Sequence, residues 1–161
     1  MRARPFLGKL YLPLVAAFMI CFGAILAACS NDDDPTPIGM TIEKIGGYDG
    51  LVLGAAEITA FDPATKRLFV VNGANGTVDV LDLSQPTAPK LAGTINVSGL
   101  GAGVNSVAVN EGLVALAIEA NPKTSPGKVA LYQASDLKLL HTLTVGALPD
   151  MLTFTPDGQY L

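Results

Sequence analysis

The sequence of 161 residues is 50% hydrophobic and 15% charged with 17 glycines, which excludes a disordered chain, and its two cysteines exclude a disulfide scaffold. The formal charge of −4 is uneven: residues 1–28 hold Arg2, Arg4 and Lys9 and no acid, leaving seven basic against 14 acidic residues beyond them, a net of −7. That balance excludes ordinary phosphate-backbone binding to nucleic acid, and a single histidine, His141, excludes a His-rich zinc site.

Residues 1–9 are short and basic, and residues 10–28 carry no charge. This is the pattern of a secretory signal. A run of 19 residues also reaches about 28 Å as a helix, enough for a membrane span. The residues that follow decide for export: Leu26-Ala27-Ala28-Cys29 resembles a bacterial lipobox. The resemblance implies cleavage before Cys29, a diacylglycerol on its thiol and acylation of the new amine. Several acyl chains anchor stably where one is marginal. Ser30 stands where an aspartate would retain a lipoprotein in the inner membrane, so outer-membrane sorting is expected in a cell with two membranes. The expected location is therefore the bacterial cell envelope, with the lipid anchor making the membrane a partner. Residues 29–40, with Asn31 to Pro37, read as a polar tether. Cys29 is the only cysteine beyond the leader, so no intrachain disulfide is expected.

From Ile42 onward, runs of four to seven apolar and β-branched residues alternate with glycine, proline and asparagine turns. The fold class is all-β. Self-comparison finds a period of 45 to 48 residues, on which Phe61, Val109 and Phe154 align. Strands are predicted over 58–63, 67–71, 77–81 and 91–97 in the first unit. The second unit has them over 106–111, 113–118, 128–132 and 138–145, and a third opens with 152–157 and 159–161. Four strands per unit of this length make a β-propeller blade; the fixed period argues against a β-sandwich. Asp62 to Thr65 and Pro156-Asp157-Gly158 supply tight turns, and Asn72-Gly73 and Asn75-Gly76 supply left-handed backbone. Residues 41–161 thus read as two blades and the start of a third. Propellers close with four to eight, so the chain reads as the N-terminal fragment of a longer product rather than one part of a multi-chain ring.

Ala55 to Pro63 followed by Arg67 to Asn72 resembles the first blade of the choice-of-anchor I domain, and Asn105 to Val109, Ala117 to Ala120 and Val145 to Met151 match it too. The resemblance covers about Ile45 to Leu161. It implies a propeller similar to the YVTN and quinoprotein dehydrogenase β-chain type, in an extracytoplasmic protein with varied surface anchors. Some members are fused to metallophosphatase or nucleotidase domains, or carry alkaline-phosphatase labels.

The repeat sets a polar residue four positions before each aligned apolar one: Glu57, Asn105 and Asp150. On first strands these would ring the mouth of a central channel, with Glu119 reaching the same face from the connection after a second strand. Oxygen ligands without His or Cys suit Ca²⁺ or Mg²⁺; otherwise the four bond neighbouring backbone and cap the channel. Other signals carry less. Gly99 to Gly103 lacks the last glycine of G-x-G-x-x-G and reads as a flexible connector. His141 alone makes no Ser-His-Asp set, and Asp79 and Asp82 read as the solvated face of a strand. Asn75 and Asn96 begin glycosylation sequons of little meaning in a bacterial lipoprotein. Two functions are expected. One is an anchored binding module for a protein, glycan or small ligand; the alternative is the N-terminal part of a metal-dependent phosphoesterase whose two-metal residues lie downstream.

Overall fold

The computed structural model describes residues 39, 41–50 and 55–161. The export signal, Cys29 and nearly all of the tether lie outside these residues. The chain divides into Met1–Ile42, of which only Gly39, Thr41 and Ile42 are described, and the unit Glu43–Leu161. Among the described residues no helix is long and apolar enough to cross a membrane.

Among the described residues the second unit holds eight strands: β1 (Ala56–Asp62), β2 (Arg67–Asn72), β3 (Thr77–Asp82), β4 (Lys90–Asn96), β5 (Gly103–Asn110), β6 (Leu113–Glu119), β7 (Pro126–Gln133) and β8 (Leu139–Ala147). They form two four-stranded antiparallel sheets in chain order, β1-β2-β3-β4 and β5-β6-β7-β8, each resembling a propeller blade. The cause is local. β-branched and aromatic residues fill the pleated, half-buried positions, and short polar turns join neighbours directly.

The sheets pack through one face of each, with β5 lying against β1, β2 and β3. Phe69, Val71, Val78 and Val80 from the first sheet meet Val104, Val107, Val114, Leu116 and Ile118 from the second in one buried cluster. Cross-strand register aligns Ala60, Phe69 and Val80 in one row of that face. Arg67 spans the same interface lower down, its guanidinium donating to the carbonyls of Ala134 (2.7 Å) and Ser135 (2.8 Å).

Several expectations need correction. Asp79 is buried, not solvated. Its carboxylate accepts hydrogen bonds from Asn72 Nδ2 (2.7 Å) and Thr94 Oγ1 (2.9 Å), the donors that make burial tolerable. Asp82 is half-buried, and its bonds from Ser84 hold its carboxyl below the ordinary range. In the β2–β3 turn only Gly76 takes the left-handed conformation, at φ 64°. Gly73 does not, because Asn72 closes that turn instead, accepting from Asn75 and Gly76 N–H on its carbonyl.

The connector 99–103 is held rather than loose. Leu100 and Gly101 donate to the Val97 carbonyl, Ala102 donates to that of Glu119, and Lys128 Nζ reaches the Leu100 carbonyl at 2.9 Å. Gly103 already belongs to β5. Residues 152–161 carry the expected turn, but not the two expected strands. Thr155 N–H donates to Tyr160 and Gly158 N–H to Thr155, with Gly158 at φ 69°. The Thr155 hydroxyl, donating to Asp157, holds that carboxyl below its ordinary range.

Candidate functional site

The first strand of each sheet is irregular near its start. The β1–β2 register shifts between Ala56 and Thr59, and the β5–β6 register shifts between Val104 and Ser106. Glu57 lies within the first irregularity and Asn105 within the second. A bulge leaves a residue outside the ladder and re-aims its side chain, so residues matched in the repeat are set apart by the same device.

Both side chains line one cleft of about 370 Å³, together with Glu119, Lys123, the turn Gly73 to Gly76 and residues 102–104. Three of the four expected residues, Glu57, Asn105 and Glu119, are thus brought together. Asp150 is exposed and is not among the lining residues. The reason is visible in Asn105, whose Nδ2 donates to the carbonyl of Pro149 at 3.0 Å: backbone just before Asp150, not its carboxylate, meets the site. Glu119 is the last residue of β6 rather than a residue of the connection after it.

Glu119 is the best-held acid of the cleft. Its side chain is 12% exposed, and Oε2 accepts from Lys123 Nζ at 3.0 Å and from Asn105 Nδ2 at 3.4 Å. Lys123 is 67% exposed and is the one residue of this group that the sequence reading missed. The Glu119/Lys123 spacing of four was legible, but it predicts proximity only on a helix, and here the chain turns through 121–125. The residues lining the cleft therefore include two carboxylates, one ammonium and the two amides of Asn75 and Asn105, a net of −1.

Glu57 rests against the β2–β3 turn. A Cβ added to Gly73 would clash with its Oε1, so the missing side chain makes room for the carboxylate. Only the mobile end of Glu57 would be displaced by such an atom. Gly73→Ala is expected to change stability by less than about 1 kcal/mol while moving Glu57 from its place. Thermal melts and a crystal structure of the variant check both parts.

For a divalent cation the arrangement is a poor fit. Among the described residues no group of three or more His, Cys, Asp or Glu side chains is placed to hold a metal ion, and Glu57 and Glu119 alone supply too few carboxylate oxygens for a six- to eight-coordinate Ca²⁺.

Residues 57–161 match the choice-of-anchor I domain. The chain belongs to that family. No curated protein matches the sequence. Among solved structures, the choice-of-anchor I chain is similar to Saccharomyces cerevisiae Sqt1, at 12% identity and a TM-score of 0.44, over 58% of this chain and 21% of that one. It is also similar to Kuenenia stuttgartiensis hydrazine synthase, at 16% identity and a TM-score of 0.48, over 65% of this chain and 28% of the other. The choice-of-anchor I chain thus spans less than a third of either.

Proposed function

We propose that this choice-of-anchor I chain is a lipid-anchored binding module of the bacterial cell envelope, and that the cleft of Glu57, Asn105 and Glu119 is its recognition site within a propeller that further blades complete. The observation that carries this reading is the pairing of bulges. Irregularities in β1 and β5 set Glu57 and Asn105 outside their ladders, and both line one polar cleft. Purely structural caps would be expected to spend their hydrogen bonds on neighbouring backbone. Asn105 does so once, to Pro149, but among the described residues no donor reaches the Glu57 carboxylate. Anchoring rests on the Leu26 to Cys29 sequence, and places the module where envelope or extracellular ligands are met.

The recognition half is tested by presenting the full chain to an array of oligosaccharides, peptides and small polar compounds beside the double variant Asn105→Ala, Glu119→Gln. Wild type is expected to retain at least one class of compound that the variant loses about tenfold or more, since each lost charged hydrogen bond weakens binding by about 1.5–3 kcal/mol. Identical profiles would refute the site. Mass spectrometry of the membrane fraction tests the anchor, with an acylated Cys29 peptide expected and an unmodified thiol in the mature protein counting against it.

A further inference from the structure

The cleft already holds one cationic group of its own. Lys123 Nζ lies 3.0 Å from Glu119 Oε2 at the end of a side chain that is two-thirds exposed. From this we infer that the cleft recognises a primary ammonium on an unbranched alkyl stem, and that Lys123 fills the ligand's place until one arrives. The inference rests on the cleft's being the recognition site.

Three observations support it. First, an ammonium offers three donors and no acceptor. The cleft lining supplies acceptors to match: the Glu119 carboxylate, the Glu57 carboxylate and Asn105 Oδ1, whose amide nitrogen is occupied by Glu119 and Pro149. Second, an ion pair with one partner this exposed contributes little, so Lys123 can yield its place at small cost. It stands in the turn following β6 with its side chain two-thirds exposed. Third, the charge sign agrees at both scales. With Lys123 withdrawn the cleft carries −2, and beyond residue 28 the chain carries −7, a field that draws cations toward it.

The same chemistry is presented by a lysine side chain of a partner polypeptide and by a free alkyl diamine. Two probes distinguish these sources: the peptide acetyl-Gly-Lys-Gly-amide and 1,5-diaminopentane, each titrated into the full chain by calorimetry at low salt. At least one is expected to bind, and the one that binds more tightly names the source. The same peptide acetylated on its lysine nitrogen is expected not to bind. Lys123→Met is expected to tighten binding about two- to fivefold, because an internal competitor is removed. Glu119→Gln is expected to weaken it tenfold or more, and raising the salt to weaken it further.

Equal binding of the acetylated peptide, no binding of either amine, or no tightening in Lys123→Met would overturn the inference. If the amines fail while the array still yields a ligand that the Asn105→Ala, Glu119→Gln variant loses, the recognition site stands and only its ammonium preference falls. If the array also yields no difference, the site itself falls.

Discussion

Replacing Phe69 with alanine is expected to remove about 3–5 kcal/mol of folding free energy. Phe69 is wholly buried in the middle of β2 and stands in the row with Ala60 and Val80 that faces β5. Its loss leaves a cavity in the shared core of the two sheets, which relaxation fills only in part. Against a total stability of about 5–15 kcal/mol for a domain of this size, that is enough to populate the unfolded state. Phe69→Leu keeps most of the apolar volume and is expected to cost about 1.5 kcal/mol or less. Urea denaturation of the full chain, with the midpoint read by far-ultraviolet circular dichroism, measures both. Similar midpoints for the two variants would show that the sheets do not share a packed core.

Asp79→Ala is expected to be nearly as damaging, by a different route. The carboxylate accepts from Asn72 Nδ2 and Thr94 Oγ1 in a buried setting. Truncation leaves the Asn72 amide without its acceptor, and an unpaired buried donor costs about 1–3 kcal/mol. Thr94→Val removes a donor at the half-open side of the network and is expected to cost about 1 kcal/mol. The effect also reaches the cleft. Asn72 holds the Gly73 to Gly76 turn through its Oδ1 and its carbonyl, and that turn is one wall of the site. Asp79→Ala is therefore expected to reduce ligand retention by more than its stability loss explains, measured at a temperature where the variant stays folded.

These two residues also mark where reading from the sequence succeeds and where it stops. Phe69 sits in an alternating apolar run bounded by turn residues, and such runs placed each of these eight strands to within three residues at either end, the largest miss being the start of β5. Asp79 sits in an equally regular alternation, Thr77-Val78-Asp79-Val80, which predicts that it faces solvent. What buries it is a pair of donors on the neighbouring strands β2 and β4, and cross-strand partners are invisible until register is known. Glu57 and Asn105 were legible because the repeat aligned them. The bulges that aim them were not, since a bulge is one unpaired residue in a ladder and leaves no periodic trace. Asp150 follows the same repeat but has no paired strand behind it here, and the backbone of Pro149 takes its expected place at Asn105. Gly73 carried a signal that was read for the wrong property. Asn-Gly suggests a left-handed turn, whereas this glycine is needed for the closeness of Glu57.

The most direct measurement of the recognition site is a nuclear magnetic resonance titration of the full chain with a ligand retained in the array. It follows the side-chain carboxyl carbons of Glu57, Glu119 and Asp150 and the side-chain amide of Asn105. The Glu57, Glu119 and Asn105 signals are expected to move together and saturate with one dissociation constant, while Asp150 stays in place. Saturation of binding with these three signals unmoved, or movement confined to Asp150, would contradict the cleft as the place where this chain meets its ligand.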